Sequence, residues 1–411
     1  MSDALLSDAL LSDAPLSPPS RLTRPDTALA RARKLAAQFT RTAAHHDATA
    51  EVPRANFAAL HAAGLSGLTA SPVHGGAGAG LAEAVEVIRV LAQGEPSTAL
   101  ILFMQYLNLA TLPQGRWDPA LVAEVLTNSV RTGGMINSLR VEPELGSPTR
   151  GGLPATLARR TATGWAITGR KIYSTGSSVL GWMIVWARTD EPEVRVGRFA
   201  VPASSPGIAI EPTWNALGMR ASGSHDVVFD AVAVPARYAA DLRRPEEWAG
   251  KEPLQAAWHG VLLGAVYDGI ARAARDWVAG FLNERVPTGL GAPLATLPRV
   301  QEEMGRIERL LQVNEVLSQG LARAVDEGHL PTPEAAGLAK LTVTENAIAA
   351  VDIALRLSAN HGISRANPLE RHHRNVLCGR IHTPQEDAAL VAAGKTALSA
   401  ALASPSSETS S

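Results

Sequence analysis

Three textures of hydrophobic and polar positions follow one another along this chain. From Asp26 to about Ile136 apolar residues recur at helical spacing. Leu29, Leu35, Phe39 and Ala43 share one face, and Leu81, Val85, Ile88 and Leu91 share another. Asn56 to Ala63 reads as a short helix that Gly64 stops. From about Asn137 to Pro235 the period shortens. Leu157 to Ala162, Trp165 to Thr168, Trp182 to Ala187, Arg198 to Val201 and Val227 to Val234 are short runs rich in branched and aromatic residues, broken by Gly, Pro and Asp. They predict strands, with a hairpin tip at Thr163-Gly164. From Tyr238 to Leu402 helical spacing returns, in the stripes Leu310, Val313, Leu317, Leu321, Val325 and Leu341, Ile348, Ala349, Ile353, Leu357. Strands without intervening helices imply an antiparallel barrel or sandwich, and the last helices a four-helix bundle. There is no βαβ alternation, which excludes a Rossmann arrangement despite the many glycines. The expected fold class is α+β: a helical domain over 25–136, a β domain over 137–237 and a helical bundle over 238–403, between disordered tails at 1–24 and 404–411.

Composition narrows the partners. The 411 residues are 46% hydrophobic and 19% charged, which suits packed globular units. The net charge is −1, with 38 basic and 39 acidic residues, so no global field favours nucleic acid or an anionic membrane. Cys378 is the one cysteine; it excludes an intrachain disulfide and fits a reducing, cytoplasmic setting. It reads as a small buried residue rather than a catalytic thiol. The N-terminus repeats Ser-Asp-Ala with period five and carries no basic leader. The longest apolar run, Ala99 to Met104, is too short to span a bilayer. The Gly75–Gly80 stretch follows no strand and precedes no lysine, so it reads as a connector rather than a phosphate loop.

Several motifs carry a family resemblance. Val52-Pro53 through Gly64-Leu65, Pro72-Val73-His74-Gly75-Gly76-Ala77-Gly78, and above all Trp214 to Phe229 with Val234-Pro235 are similar to motifs of the acyl-CoA dehydrogenase superfamily. The order of helices, β domain and bundle agrees, from about Val52 to Gly394. The resemblance implies a bound flavin, usually FAD, with FMN possible where the grip is weaker. It implies that Gly169 to Ser177 is the flavin-contacting strand, with Tyr173 near the ring, Thr175 beside N5, and Ser174 between them. A donor at N5 is chemically apt, because N5 gains electron density and a proton on reduction. Ser138 to Ser147 sits where relatives carry a "TEPxxGSD" loop. Glu142, Gly146 and Ser147 match and are implied flavin contacts; Arg140, Val141 and Pro148 depart from the pattern. Arg285 matches an arginine that grips the flavin pyrophosphate of a neighbouring subunit, a role that suits its planar fork. Asn360 and Gly362 fall in a turn near the adenosine end. A dimer of dimers is therefore implied.

The chemistry turns on a missing carboxylate. Dehydrogenases of this kind need a base for the substrate's α-proton. The resemblance puts His382 and Thr383 where most members carry Tyr and Glu. The second known location aligns near Ala257-Trp258-His259 and holds no acid either. Leu369 to Pro384 is more similar to the flavin monooxygenase branch, where a separate flavin reductase supplies reduced flavin and oxygen reacts with a small organic substrate. There Thr175 and His382 would be the catalytic residues, since histidine suits proton transfer near neutral pH. Two alternatives remain: a dehydrogenase with its base displaced to Glu386 or Asp387, and a flavin-free scaffold. The helix carrying Phe103, Met104, Tyr106 and Leu107 reads as core first and as substrate-pocket lining second. His372 and His373 read as surface or helix-end residues, His225 as a loop cap, and His45-His46 as a solvated helix end. No metal site is expected.

Overall fold

The computed structural model describes residues 27–145, 152–248 and 252–403. Gly146, Ser147, the period-five repeat and both tails lie outside those residues.

Five helices come first. α1 (Ala28–Thr49) is capped by Thr27, whose side chain accepts from Ala30 N. α2 (Arg54–Ala62) ends before Gly64 at φ 71°. α3 (Leu81–Gly94), α4 (Pro96–Thr111) and α5 (Pro119–Thr132) follow. Glu95 and Asp118 cap α4 and α5, and a proline opens each, where no amide donor is needed. The glycine connector before α3 is a docking turn. Leu81 N and Ala82 N donate to the Asp326 carboxylate at 2.7 and 3.0 Å, and a Cβ on Gly80 would meet that carboxylate at 2.6 Å.

The middle of the chain forms one sheet from β1 (Met135–Leu139), β2 (Leu157–Arg160), β3 (Gly164–Ser174), β4 (Leu180–Thr189), β5 (Val196–Pro202), β6 (Ile208–Glu211), β7 (His225–Pro235) and β8 (Ala239–Arg243). The order is β6-β7-β3-β2-β4-β5-β8, with β1 also on β4. The expected all-antiparallel sheet needs correcting. β1 and β2 both run parallel to β4, while β2 and β3 form an antiparallel hairpin between β1 and β4 in sequence. β1, β6 and β8 are additions to the sequence reading; each is only four or five residues and mixes polar with apolar positions.

The helical remainder comprises α6 (Pro253–Glu284), α7 (Pro298–Asp326), α8 (Pro333–Ser358), α9 (Leu369–Leu377) and α10 (Glu386–Ala403). α6 is the central rod. It packs against α8 and α7 on one side and α3 and α4 on the other, so one continuous core links both helical regions to the sheet. The Trp214–Phe229 motif docks onto α9: Met219 N donates to Asn375 Oδ1 at 2.7 Å, and a Cβ on Gly218 would strike Arg374 O at 2.2 Å.

Candidate active site

A cavity of about 1160 Å³ opens where the sheet, α4, α6 and the segment after α9 meet. That exceeds an ordinary single-ligand pocket and leaves room for a cofactor beside a substrate. Thr175, Tyr173, Met104, Leu107 and His382 all line it.

One wall is the end of β3. Tyr173 is not on a regular strand, as expected, but at an irregularity, with φ 55° and its side chain 62% exposed. Left-handed backbone is costly for a tyrosine and concentrates at functional sites. The twist still leaves Tyr173 and Thr175 on the same cavity, with Trp214 edge-on to Tyr173 at 6.3 Å. The Thr175 hydroxyl joins a chain of hydroxyls, 3.0 Å from Ser224 Oγ, which is 2.7 Å from Ser222 Oγ. Thr175 O accepts from Asn137 Nδ2, which ties β1 to this wall. His225 behaves as the expected cap: its Nδ1 accepts from Trp214 N at 3.0 Å. A flat aromatic beside a linked row of hydroxyls fits a planar polar-edged cofactor such as a flavin.

The opposite wall is the segment from Cys378 to Pro384. Lys340 of α8, 1% exposed, holds it. Its Nζ donates to the carbonyls of Gly379, His382 and Pro384 at 2.9, 2.9 and 3.3 Å. His382 thereby faces the cavity with its ring 5.8 Å from Tyr267. Burial, the Lys340 ammonium and His259 together push its pKa down to about 3. The ring is neutral at physiological pH and suits orienting or relaying rather than strong-base work. Burial pulls Lys340 to about 8 and lifts the Cys378 thiol to about 11, so the thiol stays protonated. Lys340 escaped the sequence reading; a lysine inside an apolar helical stripe was the available signal.

Other expected residues lie elsewhere. Phe103 and Tyr106 do not line the cavity. Both are fully buried; Phe103 packs on His259, and Tyr106 donates its hydroxyl to Leu65 O at 2.7 Å. Ser174 is buried off the cavity with no partner for its hydroxyl among the described residues. Glu142 is structural. It is 1% exposed, pairs with Lys171 Nζ at 2.6 Å, and accepts from Ala155 N, Thr156 N and Thr156 Oγ1. Arg285, Asn360 and Gly362 sit at the far end of the bundle, off the cavity. They are neighbours there: the Phe281 ring, one turn before Arg285, meets His361 at 5.0 Å. Glu386 and Asp387 are exposed on α10 and do not face the cavity. His372 is not a surface residue but 6% exposed, because the α9 face that carries it packs into the bundle.

Comparison with known proteins follows this geometry. Three acyl-CoA dehydrogenase family models match: the N-terminal domain over residues 26–113, the middle domain over 141–232 and the C-terminal domain over 258–383. The acyl-CoA-dehydrogenase-type protein YdbM of Bacillus subtilis strain 168 is 33% identical over 87% of this chain and 93% of its own length. The chain belongs to the acyl-CoA dehydrogenase superfamily, a family of flavin-dependent oxidoreductases. L-evernosamine nitrososynthase of a Micromonospora species is 28% identical over 83% of this chain and 82% of its own. KijD3, solved with FMN and a dTDP-amino-keto sugar, is 26% identical, with a TM-score of 0.79 over 90% of this chain and 93% of that one. No helix among the described residues is long and apolar enough to cross a membrane.

Proposed function

We propose that this protein is a flavin-dependent monooxygenase acting on a small organic substrate, with reduced flavin delivered by a separate reductase. The observation that carries the reading is where carboxylates are and are not. Thr383 and His259, at or beside the two positions where relatives place their base, both face the cavity, and neither is an acid. Among the described lining residues the carboxylates are Glu246, Glu247 and Glu252, all on the β5–β8 wall. Glu247 accepts from Arg244 N, and Glu252 reaches Arg198 and Arg243 at 3.4 Å. A relative named for nitroso synthesis, which adds oxygen to nitrogen, and a neighbour solved with FMN favour the same reading.

Bound flavin would supply the two-electron chemistry with oxygen. Tyr173 and Trp214 would flank the ring, and Thr175 would offer its hydroxyl, oriented by Ser224, to the ring's polar edge. FAD and FMN both suit this wall. His382, neutral and pinned through Lys340, would hold the substrate's polar group and pass a proton. Arg285 with the 359–362 turn, off this cavity, would serve a flavin in a second subunit, which makes a homo-oligomer, a tetramer by the resemblance, part of the proposal.

Anaerobic mixing of the flavin-loaded protein with butyryl-CoA and octanoyl-CoA tests this. The flavin should keep its visible absorbance. Loss of colour would make the protein a dehydrogenase, as the name of its Bacillus relative suggests.

A further inference from the structure

Beside the hydroxyl wall, the cavity carries a ladder of arginines and tryptophans that the reading above does not use. The Arg140 guanidinium lies over the Trp186 ring, 4.9 Å from its centroid. Trp186 meets Trp248 edge-on at 4.4 Å. Arg243 and Arg198 lie over Trp248 at 4.2 and 5.3 Å. All five line the cavity. Stacking of this kind fixes guanidinium planes in place.

The cations on this wall are paired unevenly. Arg198 and Arg243 share the buried Asp241 carboxylate, at 3.0 Å and at 2.5 and 2.7 Å, and both reach Glu252 at 3.4 Å. Lys171 is matched by Glu142. Arg140 makes no ion pair among the described residues, and its Nε is closed off from solvent without a hydrogen-bond partner. Cavity-lining Glu246 and Glu247 are exposed and form no ion pair with Arg140. Burial and the Arg198 charge pull the Arg140 pKa down to about 10 against the opposing pull of Glu252, and it remains a cation at neutral pH. A half-buried cation with a closed-off Nε and no ion pair in contact is unfavourable in the empty protein, and an oxyanion in the cavity reduces that cost. Arg140 follows directly on β1. Val141 O accepts from Ile172 N, next to Tyr173, which sets this cation on the same wall as Thr175.

We propose that Arg140 anchors an oxyanion of the substrate, a carboxylate or phosphate on an apolar or aromatic body, against the Trp186–Trp248 face. The planar fork of arginine takes two such oxygens at once, and the tryptophans receive the body. This names a substrate class for the cavity and rests on reading that cavity as the substrate site.

Calorimetric titration of the full chain, with and without flavin, tests it. Benzoate and phenyl phosphate are the probes, benzamide and benzyl alcohol their neutral counterparts. At least one anion should bind the wild type better than its counterpart, and Arg140→Met should weaken it about ten- to a hundredfold, the loss of a charged hydrogen bond. Arg140→Met should also melt no lower than the wild type when both are empty, since it removes an unpaired charge. The proposal is overturned if neither anion outbinds its neutral counterpart, or if Arg140→Met binds both as well as the wild type. It is equally overturned if Arg140→Met melts well below the wild type while anion binding persists, which would make Arg140 structural. A fourth arm compares FMN with riboflavin. If Arg140→Met abolishes the preference for FMN, the oxyanion is the flavin's own phosphate and the substrate role falls. Failure of the oxidoreductase reading looks different: the chain would take up no flavin while benzoate binding still depended on Arg140.

Discussion

Lys171 and Arg140 are two cations, one buried and one half-buried, that meet the same tryptophan from different sides. Lys171, fully buried, donates to Trp186 O at 2.5 Å and to Glu142 at 2.6 Å. Arg140 lies over the Trp186 ring and has no carboxylate. Both have their pKa lowered by burial; Glu142 resists the shift of Lys171 in direct contact, whereas Glu252 resists that of Arg140 without forming an ion pair with it. Lys171 holds the pocket's frame, since Glu142 also fixes Ala155 N and Thr156 N. Arg140 faces the cavity with its capacity unspent. Within one sheet layer, a satisfied charge builds the wall and an unsatisfied one awaits a ligand.

The sharpest way to break this contrast is to turn Lys171 into a second Arg140. Glu142→Gln strands a buried ammonium and should cost about 3–5 kcal/mol in urea unfolding, the range for breaking a buried pair from one side. The double change Glu142→Leu with Lys171→Met should recover most of that loss. If Glu142→Gln alone were neutral, the pair would not be structural, and Glu142 would return as a candidate cofactor contact.

The next effect concerns groups kept neutral for want of a partner. His382 and His372 are both lowered to about 3, His382 by burial, Lys340 and His259, and His372 by burial and Arg371. Between the unfolded value near 6.5 and about 3, each binds a proton only in the unfolded chain. Stability contributed by each is therefore full above pH 6.5 and falls as pH drops through that window, by roughly 1.4 kcal/mol per pH unit per histidine. The urea midpoint of His372→Leu should depend less steeply on pH between 6 and 4 than that of the wild type. An unchanged slope would mean that His372 ionises freely in the folded protein.

Lys340 stands between the two cations, satisfied by three carbonyl oxygens but by no carboxylate. Lys340→Met leaves those carbonyls without their donor and should cost about 1–3 kcal/mol. It should also loosen hydrogen-exchange protection from Cys378 to His382 more than in α7. Uniform loss across the bundle would show that Lys340 supports the fold and not this segment.

What the chain disclosed and what it hid divide along the same line. Period alone placed α3, α7, α8 and the long strands, because apolar stripes report burial directly. The short β1, β6 and β8 were hidden, because two or three apolar residues among polar ones carry no period. At the site, Tyr173, Thr175 and His382 share one cavity, whereas the buried pairing of the Glu142 side chain was not legible, because a motif records which residue recurs and not where its side chain goes. Its partner Lys171 was in view, two residues before Tyr173, yet pairing across 29 positions is a property of the folded sheet. Arg140 stood out as a departure from the family pattern. Only the fold shows that Trp186, Trp248, Arg198 and Arg243 converge on it.

The smallest effect lies in the hydroxyl row. Thr175→Val keeps the shape of the side chain and removes one hydrogen bond, to Ser224, which should lower stability by about 0.5–1.5 kcal/mol. Ser224 keeps its bond to Ser222, so the wall should stand. Flavin affinity and the position of the flavin absorbance band should change more than stability does, because the lost hydroxyl faces the cavity. Ser222→Ala is the control. It removes the far end of the row, two hydroxyls from Thr175, and should cost a similar stability with little spectral change. Equal spectral shifts in both variants would mean that the row acts as a single network and that Thr175 holds no separate role at the ring.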